Sequence, residues 1–280
     1  MNCAGAIASG LLVAVAAPST VIECLDQLVP YEKGWLADRT SRLVLEGSAG
    51  GSLVYLGAEH TRDPSHRQFE RWRYEAEMFG PTVVFYEGHD TRTPNSPHEG
   101  VRVSGESAYV RWLARQASAR VLTLEPTIRQ EIDHVRDLFS DEEVQLHYVL
   151  REAMLLNKRT GVGEPRVREM IARILRGEHL TEFPRVLGGV DDLESAFRRR
   201  WAFPLAWWNP PEAWFNPATS GRSGGVVTRI SRAAAAFRDR VMVEKILEEV
   251  GRGERVFAVV GRGHLPMQAP ALRCALEGIG

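Results

Sequence analysis

Three cysteines in 280 residues, with no Cys-x-x-Cys pair among them, are too few and too scattered for a thiolate metal site or a disulfide framework. If the N-terminal segment were removed, Cys24 and Cys274 would be the only thiols left, and a bond between them becomes the pairing to test. Surplus charge is also missing. Thirty-five basic residues stand against 36 acidic ones, a net charge of -1, so no overall field recruits nucleic acid or an anionic membrane. No apolar run is long enough for a spanning helix: residues 4–17, AGAIASGLLVAVAA, stop at Pro18. Residues 1–22 have the length and exit of a signal segment but no basic residues at their start, so a cytosolic location is expected ahead of export. The Gly-x-Ser-x-Gly elbow and the Gly-Lys-Ser/Thr phosphate loop are absent, and GRGERV (251–256) precedes its strand instead of following it. Those absences remove the nucleophile-elbow hydrolases, the P-loop enzymes and the dinucleotide-binding fold as templates.

What the chain does contain is a repeated phrase. LVYLG (53–57), TVVFYEG (82–88), RVLTLEP (120–126) and VFAVV (256–260) are near-continuous apolar strands, the first three separated by helical patterns. Buried parallel strands read this way, because helices cover both faces of the sheet. An α/β fold is expected, with a parallel or mixed sheet covered by helices. SRLVLEG (41–47) adds either a hairpin partner or a further sheet member. Asp63 and Pro64 predict the start of the first crossover helix, and Gly80-Pro81 its end. Residues 30–280 are expected to form one domain, with the helical stretch of about 127–225 inserted as a cap.

In such sheets the functional crevice lies outside the carboxyl ends of the strands. Glu59 and His60 follow one strand, Glu87 another, Glu125 a third and His264 the last, so all should gather at one end of the sheet. Gly57 and Gly261 each stand three residues before a histidine. About 0.7 Gly-x-x-His matches are expected by chance from 25 glycines and 8 histidines, so the argument rests on placement at strand exits, where glycine allows a tight turn. Two imidazoles and a carboxylate suit a divalent transition metal (Mn, Co, Fe or Zn) with open positions, held by His60, Glu87 and His264. Glu59 or Glu125 would then serve as general base or extra ligand. The same atoms also allow a metal-free reaction, in which a carboxylate orients His60 to deprotonate water and an arginine steadies the oxyanion. The sequence leaves both versions open.

GAEH (57–60) and GRGHL (261–265), with FYEG after the second core strand and RDRVMVEKI (238–246) leading into the last, resemble the TraB/TIKI group, which is related to the erythromycin esterase and ChaN-like proteins. By that resemblance His60 and His264 match the group's paired histidines, Glu87 its acidic residue and Arg238 an arginine of its penultimate helix, placed to neutralise developing negative charge. Ala58 stands where ChaN and esterase members usually place Glu, which favours the TraB/TIKI pattern. The resemblance implies a hydrolase acting on a peptide or small-molecule substrate. Its alternatives are a haem- or iron-binding protein walled by Trp207, Trp208 and Trp214, or a catalytically silent protein that inhibits signalling by contact. It carries no expectation about oligomeric state.

Overall fold

The computed structural model describes residues 19–34, 41–89, 92–178, 182–202, 204–219 and 224–278. The apolar segment 4–17 and Cys3 lie outside them. Five strands make one mixed sheet: β1 (Arg42–Glu46), β2 (Ser52–Ala58), β3 (Val83–Tyr86), β4 (Arg120–Thr123) and β5 (Arg255–Gly261). Their order is β1-β2-β5-β3-β4. β1 and β2 form the antiparallel hairpin, and every other neighbouring pair is parallel. The expected α/β fold is what the chain adopts.

The strand sequences follow their positions. β3 is buried at every residue, as is β5 after its first, and both are continuously apolar because helices cover both their faces. β1 sits at the edge and alternates exposed and buried residues, so only Leu43 and Leu45 reach the core. Helices α1 (Ser19–Leu25) and α2 (Tyr31–Gly34) precede the sheet, α3 (Arg67–Phe79) joins β2 to β3, and α4 (Pro97–Gln116) joins β3 to β4. α3 and α4 pack on one face through Phe69, Trp72, Tyr109 and Leu113. The other face is covered by α9 (Val226–Gly251) and α10 (His264–Glu277), through Met242, Ile246, Leu265 and Leu272.

Between β4 and α9 come α5 (Ile128–Arg136), α6 (Asp141–Thr160), α7 (Gly163–Leu175), α8 (Val190–Arg198) and a 3-10 turn, Glu212–Phe215. With the first turns of α9 they enclose a cluster of their own, including Leu146, Ile171, Phe197, Trp207 and Trp214. Trp207 and Trp214 are buried in that cluster and Trp208 packs against it, so these rings contribute to the packing of the inserted helices. Ser140 and Glu143 form a capping box at the start of α6.

Two local expectations are corrected. α3 starts after His66 and not at Asp63, whose carboxylate instead accepts bonds from the backbone and hydroxyl of Ser65. That local turn satisfies the aspartate before the helix begins. The second concerns the cysteines, too few for a disulfide framework but enough for one bond: Cys24 of α1 and Cys274 of α10 form a disulfide, with Cα atoms 5.4 Å apart across 250 residues of sequence. Among the described residues no helix is long and apolar enough to cross a membrane.

Candidate functional site

β5 lies between β2 and β3, and its register sets Ala58 opposite Gly261 and Tyr86 opposite Val259. The three strands therefore end at similar heights, and the residues just beyond them meet. Gly261 keeps this meeting point open. A Cβ there would lie 3.1 Å from His60 Nε2 and 3.3 Å from Glu87 Oε2, tighter than side chains normally approach. Gly261 takes no special backbone conformation; its role is the missing side chain. In Gly261→Ala we expect His60 to be displaced and its pairing lost with little change in melting temperature, a contrast checked by imidazole NMR beside a thermal melt.

Both histidines are fixed through the same ring nitrogen. His60 Nδ1 bonds Glu106, and His264 Nδ1 lies 2.6 Å from Asp239 Oδ1. That leaves each Nε2 free of its carboxylate partner: that of His264 is 3.7 Å from Glu87 Oε1, and that of His60 borders the gap over Gly261. The two differ in access, for the His60 side chain is 73% exposed and that of His264 only 8%. The bond to Glu106 raises the His60 pKa above the ordinary imidazole value, against a smaller opposing effect of burial. For His264 burial opposes the charge most strongly, yet the bond to Asp239 and the nearby Glu87 together push the pKa up to about 9. His264 is then an imidazolium at neutral pH.

Glu87 accepts from Arg238 Nη2 at 2.6 Å and from the Gly261 amide at 2.5 Å. Burial alone would raise its pKa, but the imidazole of His264, Arg238 and the amide hold it well below the usual carboxylate range. Arg238 also grips both oxygens of Glu125, at 2.6 and 2.5 Å. Behind His264, Gln268 donates to Asp239 at 2.7 Å and accepts from Tyr55 at 2.6 Å, while the Tyr31 hydroxyl lies 3.2 Å from His264 Nδ1.

Of the residues expected from sequence, His60, Glu87, Glu125, Arg238 and His264 come together and Glu59 does not. The Glu59 side chain is 57% exposed and turns towards Arg262 and His66, at 3.5 and 3.8 Å. Neighbouring residues leaving a strand point to opposite sides, so His60 faces the gap and Glu59 cannot. Sequence reasoning missed Asp239, Glu106, Tyr31 and Gln268. A signal existed for Glu106: Gly105, with φ of 65°, breaks α4 immediately before it and turns the next carboxylate towards the end of β2. Gln268 lies one helical turn after His264, a spacing that puts both on one face.

The expected metal donors fit a metal poorly in this arrangement. Both Glu87 oxygens are already engaged, by a guanidinium and an amide, and His264 is held through its Nδ1 by Asp239. Among the described residues no group of three or more His, Cys, Asp or Glu is arranged to hold a metal ion. Glu87 and His264, expected from sequence as metal ligands with His60, here take part in a network of ion pairs and hydrogen bonds. No protein-family model, curated protein or solved structure matches this chain.

Proposed function

We propose that the chain is a hydrolase of the TraB/TIKI-like kind, working on a peptide, ester or amide by general acid–base chemistry. The observation that carries this reading is the pair of imidazoles, each anchored at Nδ1 by a carboxylate, with Nε2 of His264 near Glu87 and that of His60 over Gly261. A histidine so held has one tautomer and one orientation, which general-base catalysis requires. His60, exposed and backed by Glu106, takes a proton from water. His264, protonated between Asp239 and Glu87, supplies positive charge where an oxyanion develops. Arg238 is a positioning residue that keeps Glu87 and Glu125 in place, because its guanidinium is already committed to both.

The test is a panel of p-nitrophenyl esters and peptide anilides, assayed with wild type, His60→Ala and Glu106→Gln after chelation. Loss of a general base costs roughly 10²- to 10⁴-fold in rate, so His60→Ala should fall by that much while the chelated wild type stays active. Activity should rise with pH as His60 gives up its proton, above the ordinary imidazole value because that pKa is raised. It should fall through about pH 9, where His264 loses its own. Glu106→Gln removes the cause of the first shift and moves the rising limb to lower pH. Equal rates in wild type and His60→Ala would overturn the assignment. Activity abolished by chelation and restored by Mn, Co, Fe or Zn would replace it with a metal-dependent mechanism.

A further inference from the structure

A cavity of about 340 Å³ lies between the α1–α2 segment, α5 and α9, with Asp239 among its lining residues. Its walls are of two kinds. Leu28, Val29 and Pro30 give one apolar side, and the other is the ring of Phe237, against which His134 stacks with centroids 4.4 Å apart and planes 14° from parallel. Burial lowers the His134 pKa, so this stacked pair presents a flat and uncharged surface.

The charge at the rim is uneven. Arg232 is held by backbone carbonyls, its Nε donating to Pro217 at 3.2 Å and its Nη2 to Thr219. Among the described residues it has no carboxylate partner, so its charge is uncompensated and Nη1 remains available. Arg240, by contrast, is spent on Glu244 at 3.0 Å. Glu32 stands on the α2 side as an exposed carboxylate, where water and salt screen it. Asp239 faces the cavity with its charge already shared between His264 and Gln268. What remains is a rigid guanidinium beside an aromatic wall, in a space of the size that takes a small ligand.

We infer that this cavity binds a small aromatic carboxylate, with its ring against Phe237 and its acid group on Arg232. Because Tyr31 and Asp239 belong both to the cavity and to the surroundings of His264, a ligand held here lies one side chain from that imidazole. The cavity therefore adjoins the site through those two side chains, and its binding of the acid does not depend on the hydrolase reading.

The experiment uses 3-phenylpropionate and its uncharged amide as probes, with binding followed by calorimetry and saturation-transfer NMR. Wild type should bind the acid, and the amide at least about tenfold more weakly, the usual worth of a charge-assisted hydrogen bond. Arg232→Gln should weaken the acid to the level of the amide. Ala236 is exposed at the mouth, so Ala236→Trp obstructs the cavity while leaving the bonds of Arg232 to Pro217 and Thr219 intact, and should abolish binding even if Arg232→Gln melts early. His60→Ala should bind the acid as wild type does. Acid and amide binding alike, no binding of either, or full binding by Ala236→Trp would each overturn the inference. Binding that behaves as expected in a protein without hydrolytic activity would sink the hydrolase reading and leave the cavity standing.

Discussion

Arg238→Met should destabilise the protein by roughly 3–5 kcal/mol, the scale for removing one partner of a buried ion pair. The guanidinium ties Glu125 through both oxygens and Glu87 through one, and Glu125 is buried. Methionine fills similar volume, so packing is largely kept and the cost comes from a stranded Glu125 and from a Glu87 left with only the Gly261 amide and His264. The pH dependence separates this cause from misfolding. In wild type, Glu87 has a depressed pKa, so its contribution is present above the ordinary carboxylate value and is lost as pH falls through the folded one. Arg238→Met removes one of the groups that hold the Glu87 pKa down and leaves the His264 imidazole and the Gly261 amide, so lowering the pH from 7 to about 3 should narrow the gap to wild type. Urea melts at both values measure it. Adding Glu87→Gln and Glu125→Gln to the variant should recover much of the loss, and an unchanged midpoint in the single variant would remove Arg238 from the centre of this network.

Cutting the Cys24–Cys274 link should cost about 2–5 kcal/mol, the range for native disulfides, and lower the melting temperature by on the order of 10 °C. The bond fastens α1 to α10, and the next helix, α2, brings Tyr31 to His264. The loss should therefore have a local signature as well. In Cys24→Ser with Cys274→Ser, amide exchange should quicken first in α1, α2 and the start of α10, while β2 and β5 keep their protection. A dithiol added to wild type should reproduce the variant. Uniform exchange throughout the chain would mean that the clasp acts on global stability alone.

Much of this architecture is legible from periodicity, since Leu53–Leu56, Val83–Tyr86 and Val256–Val260 are uninterrupted apolar runs and only strands buried on both faces read that way. Glu87, Glu125 and His264 were legible because a polar residue at the end of such a run has few structural explanations. Asp239 and Glu106 were not. They lie on helices, where charged residues are common, and they matter only because the fold carries α9 and α4 over the ends of strands remote in sequence. Glu59 was over-read for the converse reason: adjacency to His60 in the chain is not adjacency in space at the end of a pleated strand. The disulfide was visible only as a conditional pairing, because two cysteines 250 residues apart fix no geometry until α1 and α10 are packed together.

The order of the strands also has a consequence for how the molecule is made. β5 is the last of the five strands along the chain and the middle one of the sheet. During synthesis the hairpin of β1 and β2 and the pair of β3 and β4 emerge with a vacant slot between them, and each exposes an unpaired apolar edge to solvent. Such edges invite pairing with other chains. The sheet cannot close, nor can Glu87 reach the amide of Gly261, until residues 255–261 have been delivered. Assembly of the site is thus tied to completion of the sheet, since Glu87 meets the Gly261 amide, and His264 meets Glu87, only when the final strand has entered the slot.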